Sequence, residues 1–72
     1  MFTLVFTFDP AEKDIAEGLE AYMNQDAILV NHGFHITSVE FDMQGNELAG
    51  HRLGRMISKT FPEIDYYIKK IE

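Results

Sequence analysis

At 72 residues the chain has room for one domain, and a fold of this size hides about 60% of the surface its unfolded chain exposes. Hydrophobic residues make up 46% and charged residues 25%, with six Phe and three Tyr, a globular composition that argues against a disordered tail. The formal charge of −6 disfavours non-specific binding to polyanions, and the lack of Cys excludes a disulfide framework, a thiolate metal site and a cysteine nucleophile.

No apolar run approaches the ~20 residues needed to cross a bilayer, and the opening MFTLVFTFD carries neither a basic segment nor a small-residue cleavage site. A cytoplasmic single domain over residues 1–72 is expected, with no repeat or linker inside it. Charge is segregated along the chain. Residues 1–50 hold nine acids against Lys13, a local −8, whereas residues 51–72 carry a local +2.

Residues 2–8 alternate with period 2. Phe2, Leu4, Phe6 and Phe8 fall on one face, and Thr3, Val5 and Thr7 on the other, which predicts a strand. Asp9-Pro10 reads as a helix start, with Asp9 as the cap and Glu12 completing a capping box. Ile15, Leu19, Tyr22 and Met23 then recur at helical spacing. Extending that helix to His32 brings Val30 into the stripe and makes Gly33 a left-handed stop, but it also buries Asp26. A break near Asn24–Asp26 relieves this, and a short strand over Ala27–Val30 is the alternative; one broken helix ending at Gly33 is the preferred expectation.

Phe34–Asp42 is the second predicted strand, with Val39, Phe41 and Met43 in one alternating set and Ser38, Glu40 and Asp42 in the other. Gln44-Gly45-Asn46 reads as a turn and Asn46 as the cap of a helix over 47–61, whose Ala49, Leu53, Met56, Ile57 and Phe61 gather on one side. Gly50 and Gly54 cost about 1 kcal/mol each in a helix interior, so their presence implies close backbone approach to a neighbour. Pro62 ends the helix. Ile64, Tyr66 and Ile68 then alternate with Asp65, Tyr67 and Lys69 as a third strand, with a short helix as the competing reading.

The expected fold class is therefore α+β, a two-layer sandwich in the order β-α-β-α-β, with a three-stranded sheet and two helices on one face. Its other sheet face would lie open, which predicts self-association, either back to back or by strand pairing at an edge, as in a homodimer.

Two surfaces are candidates for partner binding. On a helical wheel His51, Arg52, Arg55 and Lys59 share one arc opposite Leu53 and Ile57, and such cations suit a phosphate backbone or an acidic protein; an ordinary solvated helix face explains the same residues. Glu17 and Glu20, with Asp14 on the same helix and Glu40 and Asp42 later in the chain, could present a negative surface to a basic protein. His32, His35 and His51 lack a converging ligand spacing, so no metal or other cofactor is expected. Ser38 and Ser58 have no identifiable base partner, and no phosphate-cradling loop or zinc-protease motif is present. Tyr66 and Tyr67 beside Lys69 and Lys70 could clamp a single strand of nucleic acid, but a strand with one Tyr inward and one outward explains the same residues more simply.

The order of a strand ending in Phe8-Asp9, a helix, a strand led by Gly33-Phe34 and a helix ending in Phe61-Pro62 resembles small ferredoxin-like ribonucleases of the VapD type. That resemblance implies a metal-dependent nuclease using Asp9 across a dimer axis. The family also has an additional strand, for which the predicted elements leave no room.

The leading functional expectation is an acidic domain that works by protein–protein binding, of inhibitor or adaptor type, without chemistry of its own. Nucleic-acid contact through the second helix is the alternative, and the metal-dependent nuclease the third.

Overall fold

The computed structural model describes residues 1–23 and 27–70. Four strands are present: β1 (Phe2–Thr7), β2 (Ile28–Phe34), β3 (Ser38–Gln44) and β4 (Asp65–Lys70). Between β1 and β2 the chain runs through a 3-10 turn at Pro10–Glu12, the short helix α1 (Lys13–Glu17) and a second 3-10 segment at Gly18–Tyr22. Helix α2 (Glu47–Thr60) links β3 to β4. The sheet order is β2-β3-β1-β4, with every pairing antiparallel. This is the split β-α-β-β-α-β connectivity of ferredoxin-like folds.

The α+β class and the single helical layer are as expected, but the sheet has four strands where three were predicted. The difference lies between residues 27 and 37. The predicted helix to Gly33 ends instead at Tyr22, and residues 28–34 are extended. Gly33 is a strand residue opposite Glu40 and not a helix stop. The predicted strand Phe34–Asp42 is divided by a hairpin: Phe34 closes β2, Ile36 and Thr37 form the loop, and β3 starts at Ser38. The His35 amide donates to the Ser38 carbonyl at 2.8 Å, and the Phe8 amide donates to the Thr37 carbonyl at 3.0 Å, fixing the loop to the end of β1. The expected break at 24–26 lies outside the described residues.

The alternation in β1 settles which face is inward. Phe2, Leu4 and Phe6 are fully buried and share one core with Val39, Phe41 and Met43 of β3. Ala16 and Leu19 from the first helical segment, and Leu53 and Ile57 from α2, close over the same core. Asp9 has the extended backbone of a cap and Pro10 takes the first helical position, but the Asp9 side chain makes no capping bond. Glu12 does not complete a box either, and its Oε2 is buried without a hydrogen-bond partner among the described residues. Asn46 is a working cap: its Oδ1 accepts from the Leu48 amide at 3.0 Å.

The inference from Gly50 and Gly54 holds. A Cβ at Gly50 would lie 2.6 Å from the Phe2 ring, and one at Gly54 would lie 2.4 Å from the Tyr66 ring, so the two glycines let α2 sit down on β1 and β4. Positive φ occurs at Gly45 (150°), just after β3.

Among the described residues no helix packs on the far face of the sheet, and Tyr67 is 48% exposed on it, but its middle strand is shielded by neighbouring side chains. Val5 is 1% exposed there and Thr3 5%. The Thr3 hydroxyl donates to Asp42 Oδ1 at 2.8 Å, and Lys69 Nζ reaches Glu40 Oε1 at 3.1 Å from the opposite side of β1. Long polar side chains thus lay their stems over the central strand while keeping their charges in water.

Candidate functional site

The sequence-predicted basic face is divided by the fold. Arg52, Arg55 and Lys59 are exposed on α2, and among the described residues none of them is held in an ion pair. His51 does not join them. Its ring turns toward β4, where Nδ1 and the Tyr66 hydroxyl are 3.2 Å apart and the two rings meet edge to face at 5.9 Å. Three cations remain on the outer face of α2.

The acidic group is divided as well. Glu17 pairs with Lys13 at 3.9 Å, and Glu20 reaches His32 of β2 at 3.6 Å, so both belong to the helical side of the sheet. Glu40 and Asp42 lie on the far face, engaged with Lys69 and Thr3. The Lys69 hydrogen bond, reinforced by its charge and by His35 Nε2 at 3.1 Å, holds the Glu40 carboxyl below its ordinary value. The same pairing raises Lys69.

The three His side chains have separate partners: His32 with Glu20, His35 with Glu40, His51 with Tyr66. Among the described residues no group of three or more His, Asp or Glu is placed to hold a metal ion. Asp9 borders a polar cleft of about 500 Å³ with Thr37, Ser38, Glu63 and Asp65, whose carboxylates do not converge. Ser58 donates to the Ile64 carbonyl at 2.9 Å, a structural bond that ties α2 to the approach of β4. Tyr66 is half-buried and Tyr67 is 48% exposed, so one ring faces in and one out.

What sequence reasoning missed is the edge at β2. It is the outermost strand on its side, and none of its residues is fully buried. Ile28 is 65% exposed, Val30 54% and Phe34 41%, with Ile36 at 81% on the hairpin tip. The His35–Ser38 bond sets the pairing phase. Antiparallel alternation then places Gly33 and Asn31 in the hydrogen-bonded pairs with β3, and points the backbone groups of His32 and Phe34 to the open edge. A bulge at Val30 interrupts the register between Leu29 and Asn31.

Beside this edge Phe34, Ile36 and Pro10 line an open groove of about 630 Å³, flanked by Lys13, Glu17 and His35. His32 packs edge to face on Phe34 at 6.0 Å and tilts over the buried Phe41 at 6.3 Å. The opposite edge, β4, differs chemically: it carries Asp65, Lys69 and Lys70, and Lys70 also pairs with Glu47 at 3.8 Å. Charges of this kind are how edge strands are closed to further pairing. A signal for β2 was present in the sequence, since residues 27–39 form the longest run without Asp, Glu, Lys or Arg. Among the described residues no helix is long and apolar enough to cross a membrane. The chain matches no protein-family model, no curated protein and no solved structure.

Proposed function

We propose that this chain is a protein-binding domain that receives an extended segment of a partner along β2. The observation that carries the reading is the inequality of the two sheet edges: β2 has no charged residue between Ile28 and Phe34 and exposes apolar side chains, whereas β4 carries three charges. Strand addition uses the unpaired backbone groups of such an edge for affinity and alternate side-chain pockets for selectivity. The groove at Phe34 and Ile36 supplies a pocket of that kind.

The test is the single variant His32→Pro. Proline removes an edge-facing amide and is tolerated at edge positions, so the β3 pairing stays intact. A protein retained by the wild-type chain through a high-salt wash and lost by His32→Pro supports the reading, provided amide spectra show the same fold. Retention of the same protein by both chains refutes it.

A second reading rests on Arg52, Arg55 and Lys59, which share the outer face of α2 without ion-pair partners among the described residues. Nucleic-acid contact through them predicts affinity that falls steeply with salt and a loss on Arg52→Glu with Arg55→Glu. Binding through β2 predicts neither.

A further inference from the structure

The β2 edge and its groove also carry information about what the bound segment must look like. The helical side of this edge is acidic. Glu20 stretches to within 3.6 Å of His32, and Glu17 flanks the groove at Phe34 and Ile36; Lys13 is the one cation of the described segment 10–22 and is already paired with Glu17. Phe34 and His32 are two residues apart on one face of β2, so an added strand places its own residues i and i+2 beside them. One of these two faces an apolar groove and the other faces a carboxylate.

We propose that the segment bound at β2 is a basic extended peptide carrying a large apolar residue and, two positions away on the same face, a Lys or Arg. The apolar side chain fills the space between Pro10, Phe34 and Ile36, and the cation meets Glu20. This assignment rests on the strand-addition reading above and adds the partner's chemistry to it. A second copy of the chain fits the edge less well. Its β2 brings no Lys or Arg, and a twofold pairing of β2 with β2 would bring two helical layers with the same carboxylates side by side, on molecules each of charge −6.

The test uses the 72-residue chain and three synthetic peptides, capped at both ends, with a Thr/Ser-rich extended background. They carry Leu-Thr-Arg, Leu-Thr-Glu and Ala-Thr-Arg at the centre. Amide NMR titration reads affinity and location together. The Leu-Thr-Arg peptide should bind, shifting the amides of His32 and Phe34, and the Leu-Thr-Glu peptide should bind about three- to tenfold more weakly, as expected for turning an exposed ion pair into a repulsion. Glu20→Lys should reverse that preference, and Phe34→Ala should weaken the two Leu peptides while leaving Ala-Thr-Arg nearly unaffected.

Equal affinity for the Arg and Glu peptides, with both lost on His32→Pro, would overturn the charge assignment and leave strand addition standing. Binding unaffected by His32→Pro, or located on α2, would overturn both. Failure of all three peptides to bind overturns the assigned chemistry. A sedimentation mass of two chains that falls to one on His32→Pro or Val30→Lys would make a second copy the occupant and overturn it likewise.

Discussion

Replacing Gly54 by Ala sets two opposed effects against each other at one atom. Alanine is favoured over glycine in a helix interior by about 1 kcal/mol. The new Cβ would, however, lie 2.4 Å from Tyr66 Cδ2 and 2.5 Å from Cγ, well inside contact distance. Cγ is the root of the ring and cannot swing aside. The ring is also held by His51 at its hydroxyl and packs against Phe6 at 6.5 Å, so retreat from α2 costs the His51 bond. Overpacking of this kind costs about 1–3 kcal/mol and a lost hydrogen bond about 0.5–1.5 kcal/mol. The net expectation is a loss of about 0.5–3.5 kcal/mol, from a total stability of about 4–11 kcal/mol for a domain of this length. Equilibrium unfolding in urea reads it as a lower midpoint at unchanged slope. Gly18→Ala is the control, since its Cβ meets nothing within 4 Å and its φ of −80° suits alanine. That variant should gain about 0.4–1 kcal/mol. A Gly54→Ala chain as stable as wild type, or more so, would show that α2 does not bear on Tyr66 as described.

Asn46→Ala removes the side-chain acceptor for the Leu48 amide and should cost about 1 kcal/mol in the same urea experiment. Ile36→Ser should leave the unfolding free energy within about 0.5 kcal/mol of wild type, because the side chain is 81% exposed, yet weaken the binding of any ligand of the groove. Glu40 governs part of the acid limb. Its carboxyl is held below its ordinary value of 4.5 by Lys69, so the folded state binds that proton less readily than the unfolded chain. The stabilisation is complete above the unfolded value and disappears as pH falls through the lowered folded one. Unfolding measured from pH 6 down to pH 3 should therefore show a shallower loss for Glu40→Gln than for wild type, with the two curves converging at the acid end.

How much of this was legible depends on whether the side chains encode their own burial. Phe2, Leu4, Phe6 and Val39, Phe41, Met43 do, because strands covered on one face write a period of two into the sequence. Helix α2 announced itself through Asn46, its apolar stripe, the paired glycines and Pro62. Strand β2 did not, for three physical reasons. As an edge strand with no fully buried residue it has no inward set to alternate, and the bulge at Val30 shifts its phase halfway along. Its hairpin loop, Ile36-Thr37, contains none of the usual turn residues and is held by hydrogen bonds from His35 and Phe8 that no local pattern reveals. His51 was misplaced for a related reason. Its position on the helical wheel is with Arg55, but the Tyr66 hydroxyl, 15 residues away in the chain, draws its ring to the other side.

The bulge at Val30 also bears on selectivity. It separates Ile28 and Leu29 from the straight part of β2, so the regular open edge is short and offers the backbone groups of His32 and Phe34 to an incoming strand. Two residues provide at most four hydrogen bonds. At about 0.5–1.5 kcal/mol net for each, they contribute about 2–6 kcal/mol. Association alone costs roughly 4–15 kcal/mol in lost translational and rotational freedom. Backbone pairing at this edge is therefore too weak to hold an arbitrary strand, which protects an uncharged edge from indiscriminate pairing without the lysines that β4 uses. The deficit has to be met by side chains, and the two features available are the apolar groove at Phe34 and Ile36 and the carboxylate of Glu20. An edge this short selects its partner because it cannot bind without them.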